Sequence, residues 1–176
     1  MVALVAETGA GLSNANSYAD VAFADAYYAG HPFYADNWDD LDPSTKAALL
    51  MAATRSLDGQ YLWYGYRATT TQALEWPRAR VRDLYDVLLP QDALPVRLRQ
   101  AVAEHALWLT KGDRSPEAQT STGLDRLKID VIELDFASAS SNTSAGTQPV
   151  NSATRALLRG LGDYLHGLRV RRVIVG

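Results

Sequence analysis

Gln72-Ala73-Leu74-Glu75-Trp76-Pro77-Arg78-Ala79-Arg80-Val81-Arg82 lies between two helical regions of the chain. It carries a large aromatic, a proline and three alternating arginines, with no nucleophile, metal-ligand cluster or phosphate loop. Pro77 biases Trp76 toward extended backbone, so this stretch interrupts the helical pattern and is expected to cross the surface. Arg78, Arg80 and Arg82 share one side if the chain is extended and are dispersed if it is helical. These residue types suit attachment rather than catalysis. The structural alternative has Trp76 filling core, Pro77 fixing a turn and Arg78 serving as an internal salt-bridge partner.

Upstream, Met1 to Val5 is an edge strand or a tucked terminus, and Glu7 to Asn16 is rich in glycine and asparagine, which reads as a loop. Ser17 is expected to cap a helix running to about Ala29, with Tyr18, Val21, Ala22 and Tyr28 near one face. Gly30, His31 and Pro32 end it. Asp42-Pro43 opens the clearest helix: the carboxylate accepts the first free amides and proline fits the first turn. Leu50, Ala53, Leu57 and Tyr61 form its buried stripe, and Gly59 is expected to stop it. The aromatic cluster at residues 60–66 follows, as core, as the underside of an interface, or as a platform for stacking bases.

Downstream, Val81 to Leu89 reads as a short helical turn or an irregular segment. Leu94-Pro95 opens a helix with Leu98, Val102, His105 and Leu109 inward, ending at Lys111-Gly112. His105 and His31 have no partner at catalytic or ligand spacing, so the first is assigned to the core and the second to a loop. Residues 127–136 alternate with a change of phase, the pattern of a bulged strand or a hairpin. Residues 137–149 form a serine-rich loop without large apolar groups until Val150. Ser152 is expected to cap a last helix with Leu157, Leu158, Leu161 and Leu165 inward, ending near Gly167. Residues 168–176 form a basic, β-branched terminal strand in need of a sheet edge.

The expected fold is mainly α: one domain over residues 1–176, a small bundle of about four helices with a minor β component at 127–136 and 168–175. With 47% hydrophobic and 21% charged residues the chain can bury a core, and the absence of cysteine removes disulfides and thiolate metal sites. No apolar run approaches a membrane span, and no secretory leader pattern opens the chain, so an intracellular, unprocessed protein without membrane contact is expected. The net charge of -3 conceals a gradient. Residues 1–45 hold seven acids (Glu7, Asp20, Asp25, Asp36, Asp39, Asp40, Asp42) and no lysine or arginine, whereas residues 151–176 hold Arg155, Arg159, Arg169, Arg171 and Arg172 against Asp163. These ends suit subunits that meet head-to-tail, or are simply solvated faces.

Ala15-Asn16-Ser17-Tyr18, Ala52 to Tyr61 with its Leu57-Asp58-Gly59 ending, Ala73-Leu74-Glu75-Trp76-Pro77-Arg78, and Pro95 with Ala101 and Glu104 together resemble the head-tail connector or adaptor proteins of tailed-phage necks. Sequences of that kind are also labelled DnaT-like single-stranded DNA-binding proteins. The resemblance implies a non-enzymatic adaptor without cofactor or metal. It would form a homo-oligomeric ring of about twelve copies beneath the portal protein, with genome DNA in its lumen and the next neck or tail-completion protein below. Such a protein is made in the host cytoplasm and ends in the virion neck. The interface residues expected on this reading are Trp76, Arg78, Arg80, Arg82, Arg169, Arg171, Arg172, Val173, Ile174 and Val175. The alternative is a single-stranded DNA-binding module that uses the 60–66 aromatics for stacking and Arg78, Arg80 and Arg82 for phosphates. No constellation of matched catalytic roles is announced.

Overall fold

The computed structural model describes residues 3–32, 34–110 and 150–165. Its elements are α1 (Val21–Ala29), α2 (Ala35–Asp39), α3 (Pro43–Gln60), β1 (Tyr61–Trp63), β2 (Tyr66–Arg67), β3 (Arg78–Ala79), α4 (Val96–Leu109), α5 (Ser152–Leu158) and β4 (Gly162–Tyr164). The expected strand at 127–136, the 137–149 loop and the terminal strand at 168–176 lie outside the described residues.

Helix α4 is the centre of the molecule. It packs between α3 and α5, with α1 alongside. Ala101 through Leu107 are all buried, including Glu104 and His105. A helix buried around its whole circumference is one enclosed by neighbours, not one lying on a surface. Its small residues Ala101, Ala103 and Ala106 leave room for those neighbours. Helix α3 begins as its sequence dictates, with the Asp42 carboxylate accepting from Ser44 N and Thr45 N and Pro43 in the first turn. Leu50, Ala53 and Leu57 then face the core.

Several boundaries differ from expectation. Helix α1 is capped by Asp20, whose carboxylate accepts from Phe23 N. Ser17 instead forms a parallel bridge to Ala6, and Tyr18 enters the core ahead of the helix while Ala22 stays exposed. Gly59 does not stop α3. The helix runs to Gln60 and ends because Tyr61 turns extended to begin β1. Helix α5 is capped by Asn151 rather than Ser152, its side chain accepting from Thr154 N at 2.7 Å. It stops at Leu158, well before Gly167, since Gly160 takes a left-handed φ of 83° and redirects the chain into β4.

The fold is therefore not a plain bundle: its helices are joined to two small antiparallel pairs. Strand β1 pairs with β4 in the register Tyr61↔Tyr164, Leu62↔Asp163, Trp63↔Gly162. Strand β2 pairs with β3, Tyr66↔Ala79 and Arg67↔Arg78. Between β1 and β2 the chain turns at Gly65, where φ is 67° and a Cβ would lie 2.2 Å from Ala79 O, so no larger residue fits.

Candidate functional site

The 72–82 stretch is mostly interior, contrary to its expected passage over the surface. Trp76 is fully buried, its ring edge-on to Trp63 at 6.1 Å, and the Trp76–Pro77 peptide is cis. Asp58 organises this region. Its carboxylate accepts from Tyr18 OH at 2.7 and 2.8 Å and from Trp63 Nε1 at 3.1 Å, while Trp76 N donates to the Tyr18 oxygen at 3.1 Å. Burial outweighs these bonds and pushes the Asp58 pKa up to about 6.

The three arginines part company. Arg78 is buried: Nε donates to Tyr64 O at 2.7 Å, Nη2 to Gly65 O at 2.9 Å, and Nη1 to the carbonyl and carboxylate of Glu75 at 3.1 and 2.7 Å. It clamps the β1–β2 turn to the connector and is an internal salt-bridge partner of Glu75. Arg80 has a φ of 58°, which breaks the alternation that would have aligned the three side chains; its guanidinium lies 5.8 Å from the Tyr66 ring. Arg82 is exposed and paired with Asp86 at 3.4 Å. Of the two arrangements open to the sequence, the three arginines are dispersed and do not share one side. Likewise Tyr61 and Trp63 of the aromatic cluster are stacked in the core, and Tyr64 and Tyr66 are exposed. Arg169, Arg171, Arg172, Val173, Ile174 and Val175 lie outside the described residues.

Residues 81–89 are neither helical nor irregular. They form a hairpin tip. Leu89 N donates to Val81 O at 2.8 Å, Asp83 N to Val87 O at 2.9 Å, and Asp86 N to Asp83 O at 3.1 Å, with Asp86 left-handed at φ 64°. This is the arrangement of a three-residue hairpin loop with a bulge. The Asp83 carboxylate accepts from Tyr85 N at 2.8 Å and Val87 N at 2.9 Å, and Arg82 donates to Asp86 O at 2.6 Å. The result holds Leu84, Tyr85, Val87 and Leu88 outward, each more than half exposed and Tyr85 at 83%. Four apolar side chains on a hydrogen-bonded tip form a protruding patch of the kind that meets another surface. Aspartate at the first turn position was its signal in the sequence.

A cleft of about 380 Å³ opens where the end of α4 meets the start of α5 and the His31–Asn37 segment, lined by His31, Tyr34, Glu104, Leu107, Trp108 and Ala153 among others. Glu104 is nearly buried; its Oε1 accepts from Tyr27 OH at 2.9 Å and lies 3.8 Å from His31 Nε2. His31 Nδ1 is buried and has no hydrogen-bond partner among the described residues. No local pattern announces this cleft, because its walls come from three distant segments. His105 sits apart from it, fully buried, with Nε2 2.9 Å from Ser56 Oγ; burial pushes its pKa down to about 4. It is a core histidine.

The acidic head also resolves into parts. The Glu7 carboxylate accepts four backbone N–H groups, from Thr8, Gly9, Gly11 and Leu12 at 2.8–3.0 Å, and so builds the first loop. Asp20 and Asp42 cap helices, and Asp25 binds Trp38 Nε1 and Lys46 Nζ at 2.7 and 3.0 Å. Asp36, Asp39 and Asp40 remain as an exposed acidic group on and beside α2. Among the described residues no cluster of histidine, aspartate and glutamate suits a metal ion, and no helix is long and apolar enough to cross a membrane.

Neither the curated proteins nor the solved structures contain a match to this chain. Residues 2–173 match the model of the family described as "Putative DnaT-like ssDNA binding protein", and the chain belongs to that family.

Proposed function

We propose that this protein is a structural head-tail adaptor of a phage neck, without catalytic activity. Copies assemble as a ring under the portal protein, reach the next neck or tail-completion protein, and leave genome DNA to pass through the lumen. Its place is the virion neck, after synthesis in the host cytoplasm. The observation that carries this reading is the apolar tip formed by Leu84, Tyr85, Val87 and Leu88. Exposed apolar groups fixed by backbone bonds suit docking on protein, whereas His105 and Arg78, two of the groups that would do chemistry or bind phosphate, are turned inward. The test is single-particle mass photometry of the protein alone and mixed with the portal ring encoded near it. A fixed, ring-sized increment on the portal peak is expected; a portal peak that never moves overturns the reading.

Single-stranded DNA binding is the second reading, favoured by the family description together with the exposed Tyr66 ring beside Arg80. An aromatic face flanked by a guanidinium suits a stacked base and its phosphate. The net charge of -3 and the interior positions of Tyr61, Trp63 and Arg78 weigh against it. Titration of labelled single-stranded DNA at low salt tests it. Salt-dependent binding that Tyr66→Ala and Arg80→Ala each weaken supports this role, and no binding at micromolar protein removes it.

A further inference from the structure

We propose that Asp58 is a proton-operated latch on the 68–77 connector: with its proton on, the connector stays seated against the end of α3, and loss of the proton loosens it. A latch of this kind does not depend on either reading above of what the protein binds. The connector takes few backbone bonds from the rest of the fold; Ala73 N donates to Leu12 O at 2.9 Å, and Gln72 Nε2 braces the segment from within by donating to Leu74 O and Pro77 O. Two of its other amides end on one cluster. Glu75 N donates to the Asp58 carboxylate at 3.4 Å and Trp76 N to the Tyr18 oxygen at 3.1 Å, while Tyr18 OH itself donates to Asp58 at 2.7 and 2.8 Å. Trp63 Nε1 completes the cluster at 3.1 Å. The connector runs on into β3 and the 81–89 tip, so the latch governs how firmly the protruding hairpin is carried.

The groups that face Asp58 supply donors but no positive charge. Tyr18 comes from the first loop, Trp63 from β1 and Glu75 from the connector, and among the described residues no lysine, arginine or histidine forms an ion pair with Asp58. Glu75 is itself an acid, paired with Arg78 at 2.7 Å, and its charge opposes that of Asp58. Tyr18, Trp63 and Trp76 are all buried, so an ionised carboxylate here gives up water without gaining a cation. Burial accordingly lifts the Asp58 pKa up to about 6. An open connector hydrates the carboxylate and returns it to the ordinary range near 4. Acid therefore favours the seated connector, and above about pH 6 the ionised carboxylate favours the open one. Trp76 Nε1, buried without a hydrogen-bond partner among the described residues, also meets water on opening.

Amide hydrogen exchange of the full-length chain from about pH 4.5 to 7.5, corrected for the intrinsic exchange rate, reads the latch. The Glu75 and Trp76 amides should lose protection as pH rises, with a midpoint near 6 and a total fall of up to about 100-fold, the ratio that about two pKa units allow. The α4 amides from Val102 to Ala106 open with the whole fold, where His105 acts in the opposite sense, so their protection should stay nearly level. Asp58→Asn should abolish the pH dependence at the connector. Glu75→Gln removes the neighbouring negative charge and leaves Asp58 in place, so it should move the midpoint to lower pH. Should Asp58→Asn fail to fold, the Glu75→Gln shift decides alone. Connector amides with the same protection at every pH overturn the proposal. So does a fall that Asp58→Asn retains, a midpoint that Glu75→Gln leaves in place, or a fall that the α4 amides share in full.

Discussion

Asp58 and His105 are buried on neighbouring helices and titrate in opposite senses. Burial raises the Asp58 pKa to about 6, above that of the unfolded chain, so its protonated form stabilises the fold at acid pH and that contribution is lost as pH rises through about 6. Burial lowers the His105 pKa to about 4, so its neutral form stabilises the fold above about pH 6.5 and that contribution is lost as pH falls toward 4. Each shift is roughly two units, or about 3 kcal/mol, and the two largely cancel over one window. Denaturation midpoints measured from pH 4 to 6.5 should therefore show Asp58→Asn losing stability toward acid relative to wild type, and His105→Gln gaining it. Parallel curves for Asp58→Asn and wild type would show that Asp58 does not titrate there. Arg78 gives a sharper residue-level prediction. Arg78→Ala leaves the carbonyls of Tyr64, Gly65 and Glu75 without this donor and should cost about 2–4 kcal/mol in urea unfolding. Arg78→Lys should recover little, because a point charge cannot reproduce the guanidinium fork.

At the scale of elements, the hairpin tip and the end of α5 depend on each other. Gly160→Ala forces a side chain into the left-handed region and places its Cβ against Leu84, so a loss of about 1–2 kcal/mol is expected, with a displaced tip. Hydrogen exchange of the Asp83–Val87 amides checks this: unchanged protection would mean that the tip stands without α5. The sequence marked helices whose start signals lie in adjacent residues, as at Asp42-Pro43, and the inward stripe of α3. It misplaced ends set by distant partners. Gly59 fails to stop α3 because β1 must begin at Tyr61 to meet β4, and α5 ends early because Gly160 must turn the chain into that same pair. The short α2 escaped notice because its anchor, Trp38, is buried by stacking on Tyr28 of another helix. The site was less legible still. Alternation suggested an arginine stripe, but the left-handed backbone at Arg80 dissolves it, and the cleft exists only once three separated segments converge.

For the whole molecule, stability and assembly should come apart. Tyr85 touches little of its own chain, so Tyr85→Ala should leave the unfolding midpoint within about 0.5 kcal/mol of wild type while the increment on the portal peak shrinks or vanishes. A variant that unfolds as readily as it fails to assemble would place Tyr85 in the core's service instead. The closing of the fold by β1 and β4 carries a further consequence. Tyr61 to Trp63 wait for Gly162 to Tyr164, made roughly a hundred residues later, and at about 5–20 residues per second the newborn chain spends some 5–20 s with that edge unpaired on the ribosome. Translation therefore sets the earliest moment at which this pair can close, and a chain released early by a nonsense codon keeps an open strand edge.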